Sequence, residues 1–66
     1  MNTTPMFKVH DEDWQACGEI RLVQTKQLGW MYRAWAVNEN EDATKLGLHD
    51  TSAGAEAEIR RYWGMT

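Results

Sequence analysis

Hydrophobic and polar residues alternate with a period of two through three stretches of the chain and then change to a helical period. From Glu19 to Thr25 (Glu-Ile-Arg-Leu-Val-Gln-Thr) neighbouring residues point to opposite sides, which predicts a strand. Trp30 to Val37 is rich in aromatic and aliphatic strand formers. Between them, Lys26-Gln27-Leu28-Gly29 reads as a hairpin loop ending in glycine. Asn38 to Asp42 is a polar, Asn-rich turn, and Ala43 to His49 forms a third strand with Leu46 and Leu48 on one side. Asp50-Thr51-Ser52 then offers three N-caps in a row before a helix from Ala53 to Trp63. Glu56 and Arg60 stand at i,i+4 in the favourable order, Ala55, Ile59 and Tyr62 share one helix face, and Gly64 suits the C′ position.

The expected fold is therefore α+β. It is a three-stranded antiparallel β-meander followed by one C-terminal helix packed on one sheet face, preceded by an N-terminal extension. Residues 1–5 read as a frayed start, Met6 to His10 as a short strand or an apolar strap, and Asp11 to Cys17 as a loop or single helical turn punctuated by Gly18. Residues 1–66 make a single domain.

Register decides which residues share a face. Setting Thr25 opposite Trp30, and Val37 opposite Ala43, gathers Val23, Tyr32, Ala34, Ala36, Leu46 and Leu48 under the helix. Ile20, Leu22, Met31, Arg33, Trp35, Val37 and Lys45 then lie on the other face. A single helix covers only one side of a sheet. The second side needs the N-terminal extension, through Phe7, Val9 and Trp14, or a partner.

Composition narrows the chemistry. With 66 residues, 42% hydrophobic and seven aromatic rings, the chain is too apolar for disorder and has no apolar run long enough to cross a membrane. A single cysteine makes no internal disulfide, and the first residues lack the basic-then-apolar pattern of a signal peptide, so a cytoplasmic location is expected. The net charge of −3 argues against a strongly basic nucleic-acid surface. The acids gather in two clusters, Asp11-Glu12-Asp13 and Glu39/Glu41/Asp42, which read as solvated turns.

No constellation for catalysis stands out. His10, Cys17 and His49 lack metal-ligand spacing, and consecutive turn carboxylates do not converge on a substrate. The glycines are scattered, with no phosphate cradle. No cofactor and no enzymatic activity are expected.

Tyr32-Arg33-Ala34-Trp35-Ala36, then Leu46-Gly47-Leu48, then Asp50-Thr51 leading into a helix with Ala55 and Ala57, resemble the sheet-to-helix half of AP2-type and integrase arm-type DNA-binding modules. The resemblance covers residues 32–57. It implies DNA contact through the open sheet face, with Arg33, Trp35, Arg21 and Lys45 as readout and phosphate contacts. The first strand departs from that pattern. Its cations are only Arg21 and flanking Lys26, Glu19 stands where a cation is expected, and the register above puts Arg21 on the helix side.

The function expected from the sequence is a non-enzymatic protein-binding module. Its contact residues would be Leu22, Met31, Arg33, Trp35 and Lys45, and its partner another protein or a second copy. Small, acidic, Trp-rich chains of this kind suit accessory proteins of phages and other mobile elements that modulate or inhibit a host enzyme. A DNA-binding accessory module using the same face is the alternative.

Overall fold

The computed structural model describes residues 6–64. These form four strands and one helix: β1 (Met6–His10), β2 (Ala16–Thr25), β3 (Gly29–Val37), β4 (Ala43–His49) and α1 (Ser52–Tyr62). The strands make one antiparallel sheet in sequence order, and α1 lies across one side of it. The α+β class and the meander-then-helix order agree with the sequence reading, but there are four strands rather than three. The added one is the Met6–His10 stretch of the N-terminal extension; residues 1–5, expected to be frayed, lie outside the described residues. Its alternating Phe7 and Val9 pair with Ile20 and Gly18, and so turn toward the helix side. The stretch lengthens the sheet instead of folding over it.

The two outer hairpins close with the same device. Asp11 Oδ1 accepts from the backbone N–H groups of Asp13 and Gln15, and Asn38 Oδ1 accepts from those of Asn40 and Asp42. In both loops the fourth residue, Trp14 or Glu41, has φ near +60° (62° and 65°). Asx side chains mimic a backbone turn, which is why these polar runs reverse the chain without glycine at the left-handed position. The middle hairpin differs. Gly29 takes φ 72° and pairs with Thr25, whose hydroxyl accepts from Leu28 N–H and donates to Gly29 C=O.

That pairing corrects the register. The loop is three residues long, Lys26 to Leu28, so Gln24, not Thr25, faces Trp30. Ile20 and Leu22 move to the helix side, opposite Ala34 and Tyr32, while Arg21 and Val23 move to the open side. A one-residue slip exchanges the two faces of a strand. The second hairpin does pair Val37 with Ala43, but a bulge follows. Trp35 faces Lys45 and Arg33 faces Leu48, so Leu46 and Gly47 share the position across from Ala34. Leu46 packs on the core, and Leu48 is carried to the open side.

The core consists of Val9, Cys17, Ile20, Ala34, Ala55 and Ile59, with Tyr32 and Leu46 against it. Small residues let the helix sit close to the sheet. Ala34, Ala55 and Ile59 are fully buried. A Cβ on Gly18 would lie 2.5 Å from Ile59 Cγ2 and 2.9 Å from the Trp35 carbonyl oxygen. Gly18 is thus a strand residue required by close approach of the helix, not the turn residue expected from its position after Cys17. Thr51 caps α1, its hydroxyl accepting from Gly54 N–H. Arg60 and Arg61 stand in the last turn, where cations suit the helix dipole. Tyr62, expected on the buried stripe, is half exposed, and it is Trp63 that ties the helix end down by donating its indole N–H to the Cys17 carbonyl.

Candidate functional site: the open sheet face

Strand pairing places Met6, Lys8, Glu19, Arg21, Val23, Met31, Arg33, Trp35, Lys45 and Leu48 on the side away from α1. No described residue forms a layer over them. Of the five contact residues expected from the sequence, Met31, Arg33, Trp35 and Lys45 lie together here. Leu22 does not. It faces the helix side across from Tyr32, for the reason of register given above.

The centre of this face is Trp35. Its flanking strands bring Glu19 on one side and Lys45 on the other. The Arg21 guanidinium stacks over the Trp35 ring at 5.0 Å and donates to Glu19 Oε2 at 2.8 Å. A cation over an indole at an exposed site such as this adds about 0.5–1 kcal/mol of attraction. The indole is half buried by its neighbours, and its Nε1–H is enclosed without a hydrogen-bond partner among the described residues. An orphaned buried donor costs about 1–3 kcal/mol, so Trp35 occupies this position at some expense to stability.

Arg33 is partly committed to the fold. Its Nη1 donates to the Leu46 carbonyl at 2.8 Å and so braces the β4 bulge. Lys8 and Lys45 are exposed and take part in no salt bridge among the described residues. In all, four of the seven Lys and Arg residues stand on this face, against one of the ten carboxylates. Glu19, paired with Trp35, is that one acid. The cationic excess remains, and it is larger than the sequence register implied, because Arg21 and Lys8 join it.

The strand register read from the sequence missed Met6, Lys8, Glu19, Val23 and Leu48 on this surface, and also Arg21, which only the family resemblance had placed there. One signal was present. Glycine closing a loop adopts φ > 0 at the pairing position, which shortens the loop by one residue and sets the register found. The β4 bulge left no comparable mark.

The carboxylates lie elsewhere. Six of them sit in the two Asx-closed loops, which share one end of the sheet. Between these loops is an open pocket of about 560 Å³, floored by Ala16, Cys17, Val37 and Trp63 and rimmed by Asp11, Glu39 and Glu41. Burial pushes the Cys17 thiol above its ordinary pKa, the opposite of what a nucleophile needs. Among the described residues no group of three His, Cys, Asp or Glu side chains is placed to hold a metal ion. On the closed side, His49 Nε2 lies 2.7 Å from Glu58 Oε1, which also accepts from Gly47 N–H. The His49 hydrogen bond holds the Glu58 carboxyl below its ordinary pKa.

Comparison of the chain with protein-family models, with curated proteins and with solved structures found no match. Among the described residues no helix is long and apolar enough to cross a membrane.

Proposed function

We propose that this chain is a non-enzymatic binding module that docks on another protein through its open sheet face, with Trp35 and Arg21 at the centre. The observation that carries the reading is the Arg21–Trp35 stack on a face that no described residue covers. Trp and Arg dominate the energetic centres of protein interfaces, and a half-desolvated indole ringed by longer side chains has that anatomy. Met31, Val23 and Leu48 supply apolar surface around it, and Lys8 and Lys45 a cationic rim. The favoured partner surface is thus apolar with an acidic border. A role as an accessory protein that modulates or inhibits a host enzyme, in the manner of mobile-element proteins, fits a chain whose described residues offer this face and assemble no reactive groups.

One observation favours a second reading, DNA binding. Arg21 joins Arg33, Trp35 and Lys45 on the open face, which is the set that the resemblance to AP2-type and integrase arm-type modules implies. The protein reading is preferred because Arg21 is already paired with Glu19 and Arg33 with a backbone carbonyl. Two lysines without an ion-pair partner among the described residues are few for neutralising phosphates, and the whole chain carries −3.

The test is capture of partners from lysate with and without nuclease, followed by affinity measured against salt. A protein partner predicts nuclease-resistant capture, weak salt dependence and a loss led by Trp35→Ala. DNA predicts nuclease-sensitive capture, affinity falling steeply with salt and losses led by Arg33→Ala and Lys45→Ala. A Trp35→Ala chain that stays folded and binds its partner undiminished would overturn the proposal.

A further inference from the structure

The two edges of the sheet are treated differently. At β4 the ladder is kinked by the Leu46–Gly47 bulge, and the Gly47 N–H is taken by Glu58 of the helix. Bulges and side-chain caps are the ordinary means of closing an edge to further strands. At β1 the register shift between Val9 and His10 puts its extra residue, Cys17, on β2, and no side chain among the described residues caps the outer side of β1. Asp11 N–H donates across the hairpin to Gln15 C=O. Alternation carried back along the strand turns the N–H and C=O of Val9 and Phe7 toward β2, and those of His10, Lys8 and Met6 outward. No described residue meets these outward groups. The same edge carries exposed Phe7 and Met6 (50% and 47%). Beside it runs a groove lined by Phe7, Val9, Trp14, Ile20, Glu56 and Arg60, which α1 leaves uncovered.

We propose that β1 is a dimerisation edge, and that its occupant is β1 of a second copy. The chemistry of the strand selects the register. Centring an antiparallel pair on Lys8 would set two ammonium groups opposite one another, which is unfavourable. Centring it on Phe7 sets Met6 opposite the partner copy's Lys8 and the reverse. Those two pairs exchange four backbone hydrogen bonds and satisfy the outward groups of both residues in both copies. Phe7 then meets its own counterpart at the non-hydrogen-bonded position, where side chains come closest, and both rings enter the trough formed by the two grooves. The two-fold axis runs perpendicular to the sheet, giving eight continuous strands with both open faces on the same side. A chain of this size buries only about 60% of its unfolded surface, and self-association is a common remedy. The dimer does not rest on the open-face reading: its backbone pairing runs along the sheet edge and its Phe7 rings lie on the helix side, while the Met6 and Lys8 side chains remain on the open face.

The test is molar mass by light scattering and sedimentation over a wide concentration range, for the full chain and two variants. Lys8→Pro removes an outward N–H without touching the β1–β2 ladder, and Phe7→Ala removes the central ring. The expected result is a mass that approaches twice that of the chain as concentration rises. Lys8→Pro should stay monomeric with an unchanged circular-dichroism spectrum, and Phe7→Ala should weaken the dimer by at least about tenfold. Amide exchange of the unmodified protein gives a reading that needs no variant: the Met6 and Lys8 amides should become protected as concentration rises. A chain that remains monomeric, exchange at Met6 and Lys8 that ignores concentration, or a dimer that survives Lys8→Pro would overturn the proposal. So would a dimer lost on Trp35→Ala and kept in Lys8→Pro, which would place the contact on the open face.

Discussion

The two faces of the sheet are built from alternate residues of the same strands, yet they follow opposite rules. Toward the helix the central positions are Gly18, Ile20, Ala34 and Ala36, short or compact side chains that let α1 approach closely. Away from it the matching positions are Glu19, Arg21, Arg33 and Trp35, long side chains that lie over one another. The closed face is solved by fit and the open one by reach. Small residues at the centre of a strand therefore mark where another part of the same chain must come near. Long amphipathic ones mark where no described residue does, and there the stems and rings must shield the sheet themselves.

The sharpest break of this contrast is at the point of closest approach. Gly18→Val should unfold the protein or cost several kcal/mol, because its Cβ alone meets Ile59 at 2.5 Å. Ile59→Ala, at a fully buried site, should cost about 2–5 kcal/mol, measured by denaturant titration. Next comes the exchange of Leu22 and Met31. Leu22→Ala should lower stability by about 1–3 kcal/mol and leave partner affinity alone, while Met31→Ala should do the reverse. Equal effects on stability from the two would mean that the faces are not distinct.

A finer test concerns Trp35. Trp35→Phe keeps a ring beneath Arg21 and removes the enclosed, unpartnered N–H, so stability should hold or rise by up to about 1 kcal/mol. A fall of similar size would mean that the N–H has a partner in solution. The smallest effects lie at the helix boundary. Thr51→Ala should cost about 1 kcal/mol through the lost cap. Glu58, held below its ordinary value of 4.5 chiefly by the His49 hydrogen bond, stabilises the fold fully above that pH. Its contribution should fade as pH drops through the depressed pKa, and Glu58→Gln should flatten that acid limb in thermal melts.

How much of this was legible in the sequence depends on range. The three strands Glu19–Thr25, Trp30–Val37 and Ala43–His49 and the capped helix were readable because their periods, loops and caps are local features. The Glu56–Arg60 pair and Gly64 after the helix are local in the same way, and both occur. The faces were harder, because they depend on a loop length and a bulge. Placing Trp30 opposite Thr25 cost one residue of register and moved Leu22 and Arg21 to the wrong sides. Met31, Arg33, Trp35 and Lys45 stayed together because the second hairpin was set correctly from Val37 and Ala43.

The amino-acid order alone determined the succession of strand, strand, strand and helix, since hydrogen-bonded turns and side-chain alternation are decided within a few residues. Tertiary structure decided that Met6 to His10 joins the sheet as a fourth strand, that Gly18 is a contact position, and that Arg21 lies on Trp35. Each of these depends on two segments meeting in one register, and the free energy of that meeting is shared between residues that no short window of sequence contains.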